Sequence, residues 1–143
     1  MVAARDHGIN SVLFRNATRR RLGLNTADSE CLSFIAIEGQ SSPTDIARYT
    51  GLTTGSTTAM LDRLEKIGFI RRRPNPGDRR GVLIEINEKY NQAAWPLVAG
   101  IQKANADLVA GYTEAELTTL ADFLSRFANN LIEQTEIIDG GLS

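Results

Sequence analysis

Residues 42–86 read SPTDIARYTGLTTGSTTAMLDRLEKIGFIRRRPNPGDRRGVLIEI. Ser42 and the proline after it predict a helix start, because a serine side chain caps the first backbone N–H groups and proline lacks one of them. Gly51 then ends that short helix, and Thr53 is the candidate cap of a second helix over 54–67. Two short helices joined by a tight glycine turn have the dimensions of a helix-turn-helix.

The later part of the same stretch predicts a β-hairpin. Residues 69–73 are partly β-branched and end at a proline, and residues 82–86 alternate branched apolar side chains with Leu83 and Glu85. The segment 74–81 between them is rich in turn-forming residues and carries two arginines. We therefore expect a two-stranded hairpin with a long basic tip.

Helices are expected on both sides of this stretch. Apolar side chains at loosely helical spacing predict a first helix over 8–22, and Thr26 is the candidate cap of a second helix that ends at Glu38. Downstream, Asn87 is the candidate cap of a long helix that breaks at Gly111.

A last helix is expected near the end of the chain. Thr113 and Glu116 have the spacing of a capping box, in which each side chain binds the backbone N–H of the other residue. Apolar residues at intervals of three and four then continue the helix to about residue 136.

The composition is that of a globular protein without a membrane span. The chain has 143 residues, of which 42% are apolar and 23% charged, and no apolar run reaches the ~20 residues that a bilayer span needs. The start lacks the continuous apolar region of a signal peptide, so we expect a cytoplasmic location and no membrane partner. The single cysteine, Cys31, excludes an intrachain disulfide, and with only one histidine beside it we expect no metal site.

Charge is distributed unevenly along the chain. The formal net charge is only −1, but residues 1–27 carry +4, residues 28–42 carry −3, residues 43–83 carry +4 and residues 84–143 carry −6. A nearly neutral protein with this segregation can present one positive face to nucleic acid. The alternative is that these charges form an ordinary solvated surface.

Hydroxyl side chains and arginines are the candidate contacts to DNA. Short hydroxyls let a helix N-terminus approach a major groove and bond phosphates or base edges, and arginine suits a narrow minor groove. The alternative is a Ser/Thr-rich capping segment followed by a solvated hairpin. We also expect Asp78 to orient Arg63 or Arg80 by a charge-assisted hydrogen bond. The candidate DNA-binding residues are Thr53, Thr54, Ser56, Thr58, Arg63, Arg79 and Arg80.

Two motifs resemble one family of bacterial regulators. Residues 64–72 read LEKIGFIRR and residues 76–82 read PGDRRGV. At this spacing they resemble the MarR family, whose mark is an LEKxGxIxR helix end followed by a wing with Asp-x-Arg. Asp78 and Arg80 fill the two wing positions.

The resemblance implies a fold and a mode of action. The fold class it implies is mainly α with a two-stranded β-hairpin wing, in a homodimer held by the first, fifth and sixth helices. The recognition helix 54–67 would enter the major groove of double-stranded DNA, and the wing 74–81 would enter the minor groove. We expect a transcriptional regulator, with repression as the favoured sign and room for a small-molecule effector that relieves binding. The chain is then one unit with a winged helix-turn-helix lobe over 24–87 and a helical dimerisation lobe over 1–23 and 88–143.

Other functions find less support in the sequence. A winged helix that binds proteins instead of DNA is the alternative function. No nucleophile–base set or nucleotide-binding motif is present, so we expect neither an enzyme nor a cofactor.

Two further residue types leave alternatives open. Cys31 lies near a helix start, where the helix dipole would lower its pKa and favour redox sensing, but a buried small apolar residue is the alternative. The aromatics Phe34, Tyr90, Trp95 and Tyr112 line an effector pocket in one interpretation and pack in the core in the other.

Overall fold

The computed structural model describes residues 2–140 and their side chains, apart from those of Arg79 and Arg80. The described elements follow the expected order, with one strand added. They are α1 (Val2–Arg21), α2 (Thr26–Glu38), β1 (Gln40–Ser41), α3 (Pro43–Thr50), α4 (Thr54–Lys66), β2 (Ile70–Asn75), β3 (Asp78–Ile86), α5 (Glu88–Val109) and α6 (Glu114–Gly140).

The sheet contains the expected hairpin and one strand that the sequence did not predict. The strand order is β1-β3-β2, and both pairings are antiparallel. In the added pairing, Gln40 lies opposite Glu85 and Ser41 opposite Ile84. A strand of two residues is too short to show alternation, which explains why pattern reasoning missed it.

The predicted hairpin tip over 74–81 is partly strand: β2 runs to Asn75 and β3 starts at Asp78, with a register shift between Pro74 and Asn75 that ends the regular pairing. Pro74 pairs with Val82 and Asn75 with Asp78, which leaves only two residues between the strands. Proline is tolerated in β2 because this strand lies at the edge of the sheet, where an N–H can be missing without loss to a neighbour.

Helices α2, α3 and α4 enclose one apolar core with the sheet. Ile35 of α2, Ile46 of α3 and Leu64 of α4 are fully buried, and Ile84 of β3 closes the core from the sheet side. Leu52, in the turn between α3 and α4, packs partly against the same core. The hairpin and the helix pair are therefore fixed to one another by apolar burial.

Cys31 belongs to this core, which bears out the interpretation as a buried small apolar residue and not the one with a lowered pKa. The side chain is fully buried. Burial, and secondarily the nearby Asp28, raise the pKa of the Cys31 thiol to about 12. Loss of hydration therefore outweighs the helix dipole, because the sulfur lies inside the core and away from the helix start.

Capping residues begin three helices where the sequence predicted them. The Ser42 hydroxyl accepts a hydrogen bond from the Asp45 N–H (3.1 Å), and the Thr53 hydroxyl accepts one from the Ser56 N–H (3.3 Å). The capping box of α6 is also confirmed, since the Thr113 N–H donates to the Glu116 carboxylate at 2.8 Å.

The cap of α2 was predicted one residue too late. Asn25, not Thr26, accepts the Asp28 N–H (2.8 Å), and the Asp28 carboxylate accepts the Asn25 N–H (3.2 Å). Asparagine caps as well as threonine does, so neighbouring capping residues cannot be ranked from the sequence alone.

Two helices extend beyond their predicted ends. Helix α1 starts at Val2 instead of residue 8, and α6 continues to Gly140 instead of ending near residue 136. The added residues do not continue the apolar spacing of either helix, and so spacing alone did not mark them.

The chain divides into two compact units, residues 1–99 and 100–143. The first unit holds the core just described. In the second, none of residues 114–140 of α6, all of which are described, is buried. Among the described residues, no helix is long and apolar enough to cross a membrane.

Candidate nucleic-acid interface

The turn between α3 and α4 sets the helix-turn-helix. Gly51 ends α3 with φ of 66°, in the left-handed region that glycine adopts without steric penalty. Leu52 then anchors the turn on the core, and Thr53 starts α4 as its N-cap. The first turn of α4 therefore has a defined position relative to the core.

The hydroxyl run at the start of α4 divides between core and solvent. Thr57 is buried, and its hydroxyl donates to the Thr53 carbonyl at 3.0 Å. The other hydroxyl-bearing residues of this turn are exposed, and all of them were predicted as DNA contacts. They are Thr53, Thr54, Ser56 and Thr58.

The exposed hydroxyls differ in whether they can still donate a hydrogen bond to a ligand or can only accept one. Thr53 donates its hydroxyl hydrogen to Ser56 Oγ (3.0 Å), so the hydrogen of Ser56 itself is not used in that bond. Thr58 donates to the Thr54 carbonyl (3.0 Å), so its oxygen can only accept from a ligand. Ser56 therefore keeps a hydrogen to donate to a phosphate or a base edge, as does Thr54, whose hydroxyl has no hydrogen-bond partner among the described residues, and Thr58 offers an acceptor and a methyl group.

The tip of the hairpin is shaped by Asn75 and Gly81. Asn75 Oδ1 accepts the Gly77 N–H at 2.9 Å, which closes the turn. A side chain at Gly81 would bring its Cβ to 3.1 Å from the Asn75 Cβ, so glycine permits this close packing. The backbone of Arg79 and Arg80 is part of β3, and their side chains lie outside the described residues. Their contact with DNA stays a prediction, as does the orientation of Arg80 by Asp78.

The arginines that precede the hairpin tip are bound to carboxylates. Arg71 and Arg73 both contact Glu85 on the neighbouring strand. Arg72 contacts Glu65 and donates to Asp62 of α4 at 2.6 Å. These ion pairs therefore hold the hairpin against α4, and the carboxylates neutralise much of the charge of the three arginines. The sequence did not predict this role.

Arg63 has a carboxylate partner, which is Asp28 and not the expected Asp78. Arg63 Nε lies 3.4 Å from Asp28 Oδ2, and Nη2 contacts Oδ1. The hydrogen bond to Asp28 raises the pKa of Arg63 above its ordinary value. The two residues are 35 positions apart, and no sequence spacing signals such a contact.

Comparison with known proteins identifies the family. The sequence profile of the MarR family matches residues 24–82. An uncharacterised HTH-type transcriptional regulator of Bacillus subtilis, YcgE, is 33% identical over 132 residues, which covers 92% of this chain and 86% of the relative. The chain belongs to the MarR family. This confirms the resemblance drawn from the helix-end and wing motifs.

Solved structures of the family share the fold. Wild-type MarR of E. coli is 25% identical to this MarR-family chain, with a TM-score of 0.56 over 89% of this chain and 96% of that one. A MarR mutant of E. coli complexed with operator DNA is 25% identical, with a TM-score of 0.55 over 88% of this chain and 92% of that one. A transcriptional regulator of Thermotoga maritima has a TM-score of 0.62 at 19% identity, over 93% of this chain and 96% of that one. The expected fold class, mainly α with a β-hairpin wing, is confirmed.

The aromatics of this MarR-family chain divide into two groups. Phe34 stacks on Tyr49 with ring centroids 4.4 Å apart, and Tyr90 meets the Phe69 ring edge-on at 5.3 Å. Burial raises the pKa of Tyr90. Trp95 is 61% exposed and Tyr112 45% exposed, so the expectation of core packing is wrong for these two. Trp95 lies on α5, and Tyr112 lies in the turn between α5 and α6. Neither of these helices has a buried residue among those that the structure describes.

A cavity between α1 and α2 has two arginines in its lining. Arg15 and Arg19 of α1, Ser29 of α2 and Tyr49 of α3 are among its lining residues, and its volume is about 190 Å³. Arg19 Nε is buried and has no hydrogen-bond partner among the described residues. No sequence pattern indicates this cavity, because its lining comes from three helices and is mostly polar.

Proposed function

We propose that this chain is a homodimeric regulator of transcription that binds double-stranded DNA. The observation that carries the proposal is the exposed, hydroxyl-bearing first turn of α4, held in position by Leu52 and Thr57 and followed at once by a two-stranded wing. A helix presented in this way fits the major groove, where its N-terminal residues reach base edges. The MarR–operator complex is a structural neighbour that supports this ligand.

In the proposed complex, the recognition helix and the wing bind different grooves of the DNA. The first turn of α4 enters the major groove, where the unpaired backbone N–H groups of the helix start also attract phosphate. Residues 74–81 approach the minor groove with Arg79 and Arg80. Arg71, Arg72 and Arg73 hold the wing to the sheet and to α4, and we assign them no base contact.

The dimer is supported by the apolar surface of α6. Leu120, Leu124 and Leu131 recur at intervals of four and seven residues, so they lie on one face of the helix, and all three are exposed. Removing such an apolar stripe from water contributes about 25 cal/mol of stability for each Å² of apolar surface that is buried. A second copy related by a two-fold axis would cover it and set two recognition helices about 34 Å apart.

Selection of bound duplexes from a random double-stranded library, at near-physiological salt, tests this function. We expect a pseudo-palindrome whose half-sites are about ten base pairs apart, one turn of DNA. A chain that enriches no sequence, and whose weak binding to duplex DNA does not fall with added salt, contradicts the proposal. That outcome would favour the alternative, a winged helix that binds a protein partner.

The sign of regulation and the effector stay predictions. The cavity beside Arg19 is the place we propose for a small anionic effector, because Arg15 and Arg19 are both in its lining, with Glu30 as the one carboxylate there. We propose no catalytic activity and no cofactor. Because the proposed ligand is chromosomal DNA, the proposed place of action is the cytoplasm.

A further inference from the structure

Asp28 joins the start of α2 to the recognition helix α4. Its carboxylate accepts the Asn25 N–H in the capping box of α2 and also binds Arg63 of α4 through two guanidinium nitrogens. Asp28 is only 3% exposed, whereas 47% of the Arg63 side chain is exposed. The carboxylate is therefore held from two sides, and one edge of the guanidinium faces solvent.

The position of Arg63 on α4 places it on the proposed DNA side. Arg63 follows Ser56 by seven residues, which is close to two full turns at 3.6 residues per turn. The two residues therefore share one face, about 10 Å apart along the helix axis at 1.5 Å per residue. Ser56 is an exposed hydroxyl that can donate to DNA, so in the proposed complex Arg63 lies beside the same groove, nearer its edge.

The contact with Asp28 uses only part of the guanidinium. Nε and Nη2 bind the carboxylate, and Nη1 has no hydrogen-bond partner among the described residues. Because guanidinium is planar and its N–H groups form a rigid fork, fixing one edge also fixes the direction of the other. The contact with Asp28 therefore fixes the orientation of the outward edge of the guanidinium as well as its position.

We propose that Asp28 is a positioning residue, which holds Arg63 so that Nη1 donates to a DNA phosphate at the edge of the groove that α4 enters. The inference rests on the proposed function. Phosphate contacts fix the register of a protein on the duplex, and base contacts then read the sequence. The pair thus links the start of α2 to the register of the recognition helix.

The salt dependence of binding tests the proposal. Each phosphate contact contributes about −0.9 to the slope of log K against log salt concentration. Asp28→Asn keeps the shape and the Arg63 charge but releases the guanidinium, so we expect the slope on the selected duplex to become shallower by about 2 for a dimer, one contact per protomer. Arg63→Gln should produce the same change, and the double variant should add nothing to either single variant.

Controls separate positioning from loss of fold. Glu116→Gln makes the same carboxylate-to-amide change at the same place in the capping box of α6, and should leave the slope unchanged. Arg63→Lys keeps the charge and leaves Asp28 paired, so it serves if Asp28→Asn unfolds. The salt slope of Arg63→Lys should become shallower by the same amount as that of Asp28→Asn. An ammonium bound to Asp28 has no second planar edge that could donate to a phosphate at the same time. Thermal melts confirm that each variant is folded at the assay temperature.

Two outcomes overturn the inference while leaving the proposed function intact. If Asp28→Asn binds the selected duplex with an unchanged slope, Arg63 needs no positioning. If it binds more tightly with a steeper slope, Asp28 competes with DNA for Arg63 instead of aiming it. Failure of the unaltered chain to distinguish the selected duplex from a scrambled one defeats the proposed function itself.

Discussion

Two regions of this chain, helices α2–α4 of the first unit and helix α6 of the second, differ in what covers their apolar residues. In the first unit, Ile35, Ile46 and Leu64 are fully buried by neighbours from the same chain. In the second, Leu124 and Leu131 of α6 occupy equally regular helical positions and stay exposed. Helical periodicity therefore accompanies a closed core in α2–α4 and an open surface in α6. The difference teaches that periodicity predicts a helix and its apolar face, but not what covers that face.

The largest effect should come from the closed core. Leu64→Ala removes a fully buried side chain and leaves a cavity, so we expect the free energy of unfolding to fall by about 2–5 kcal/mol. Denaturant titration measures it. The loss should be the same at low and high protein concentration, because the core belongs to one chain. A concentration-dependent loss would contradict the assignment of this core to a single protomer.

The next largest effect should come from the open surface. Leu131→Asp replaces an apolar side chain that is 61% exposed with a charged one. In the proposed two-fold dimer this position is buried once in each protomer, so two charges enter the interface. We expect the dimer to dissociate about 100-fold more readily, or about 2.7 kcal/mol. Sedimentation equilibrium measures the change, with Thr118→Ala on the same helix as the control. An unaltered chain that is a stable, folded monomer at micromolar concentration would remove the basis of the comparison.

The wing provides a third test, in which binding changes and both units stay folded. Arg80→Ala should weaken binding to the selected duplex by about 1–3 kcal/mol, because a positioned arginine contact is lost. The melting temperature and the dimer dissociation constant should not change. Unchanged affinity at physiological salt would show that the wing does not touch DNA.

Cys31 allows a pH test of the closed core. The folded pKa of about 12 lies above the ordinary 9.0, so folding favours the protonated thiol. Its contribution to stability is present below pH 9 and is lost as the pH rises from 9 towards 12, by up to about 1.4 kcal/mol per pH unit. Cys31→Ala should lack this loss, and the difference between the two unfolding curves isolates the thiol. Ready alkylation of the folded protein at pH 8 would contradict the burial.

The smallest expected effect compares two chemically matched threonines. Thr58 of α4 and Thr118 of α6 each donate a hydroxyl to the carbonyl four residues earlier, at 3.0 and 2.9 Å. Replacement by alanine should have a similar, small effect on helix stability at both sites. Only Thr58→Ala should also weaken DNA binding, by about 0.5–1.5 kcal/mol for one lost hydrogen bond. Equal affinity of the two variants would remove Thr58 from the interface.

Local chemistry explains which features could be predicted from the sequence. Ser42, Thr53 and Thr113 start helices because a side-chain oxygen binds a backbone N–H three residues ahead, and that geometry depends on the near neighbours alone. The same locality fails where two capping residues compete, as Asn25 and Thr26 do. It also fails for β1, whose two residues become a strand only because β3 lies beside them.

Caps, turns and periodicity act over a few residues, so the order of the helices, the hairpin and the hydroxyl-bearing start of α4 follow from local sequence. Which groups meet across the chain depends on the tertiary structure. It buried Cys31 and raised its pKa, bound Arg71 and Arg73 to Glu85, and paired Arg63 with Asp28 instead of Asp78. These outcomes depend on packing between segments far apart in the chain, where hydration and charge are set by neighbours that no local pattern specifies.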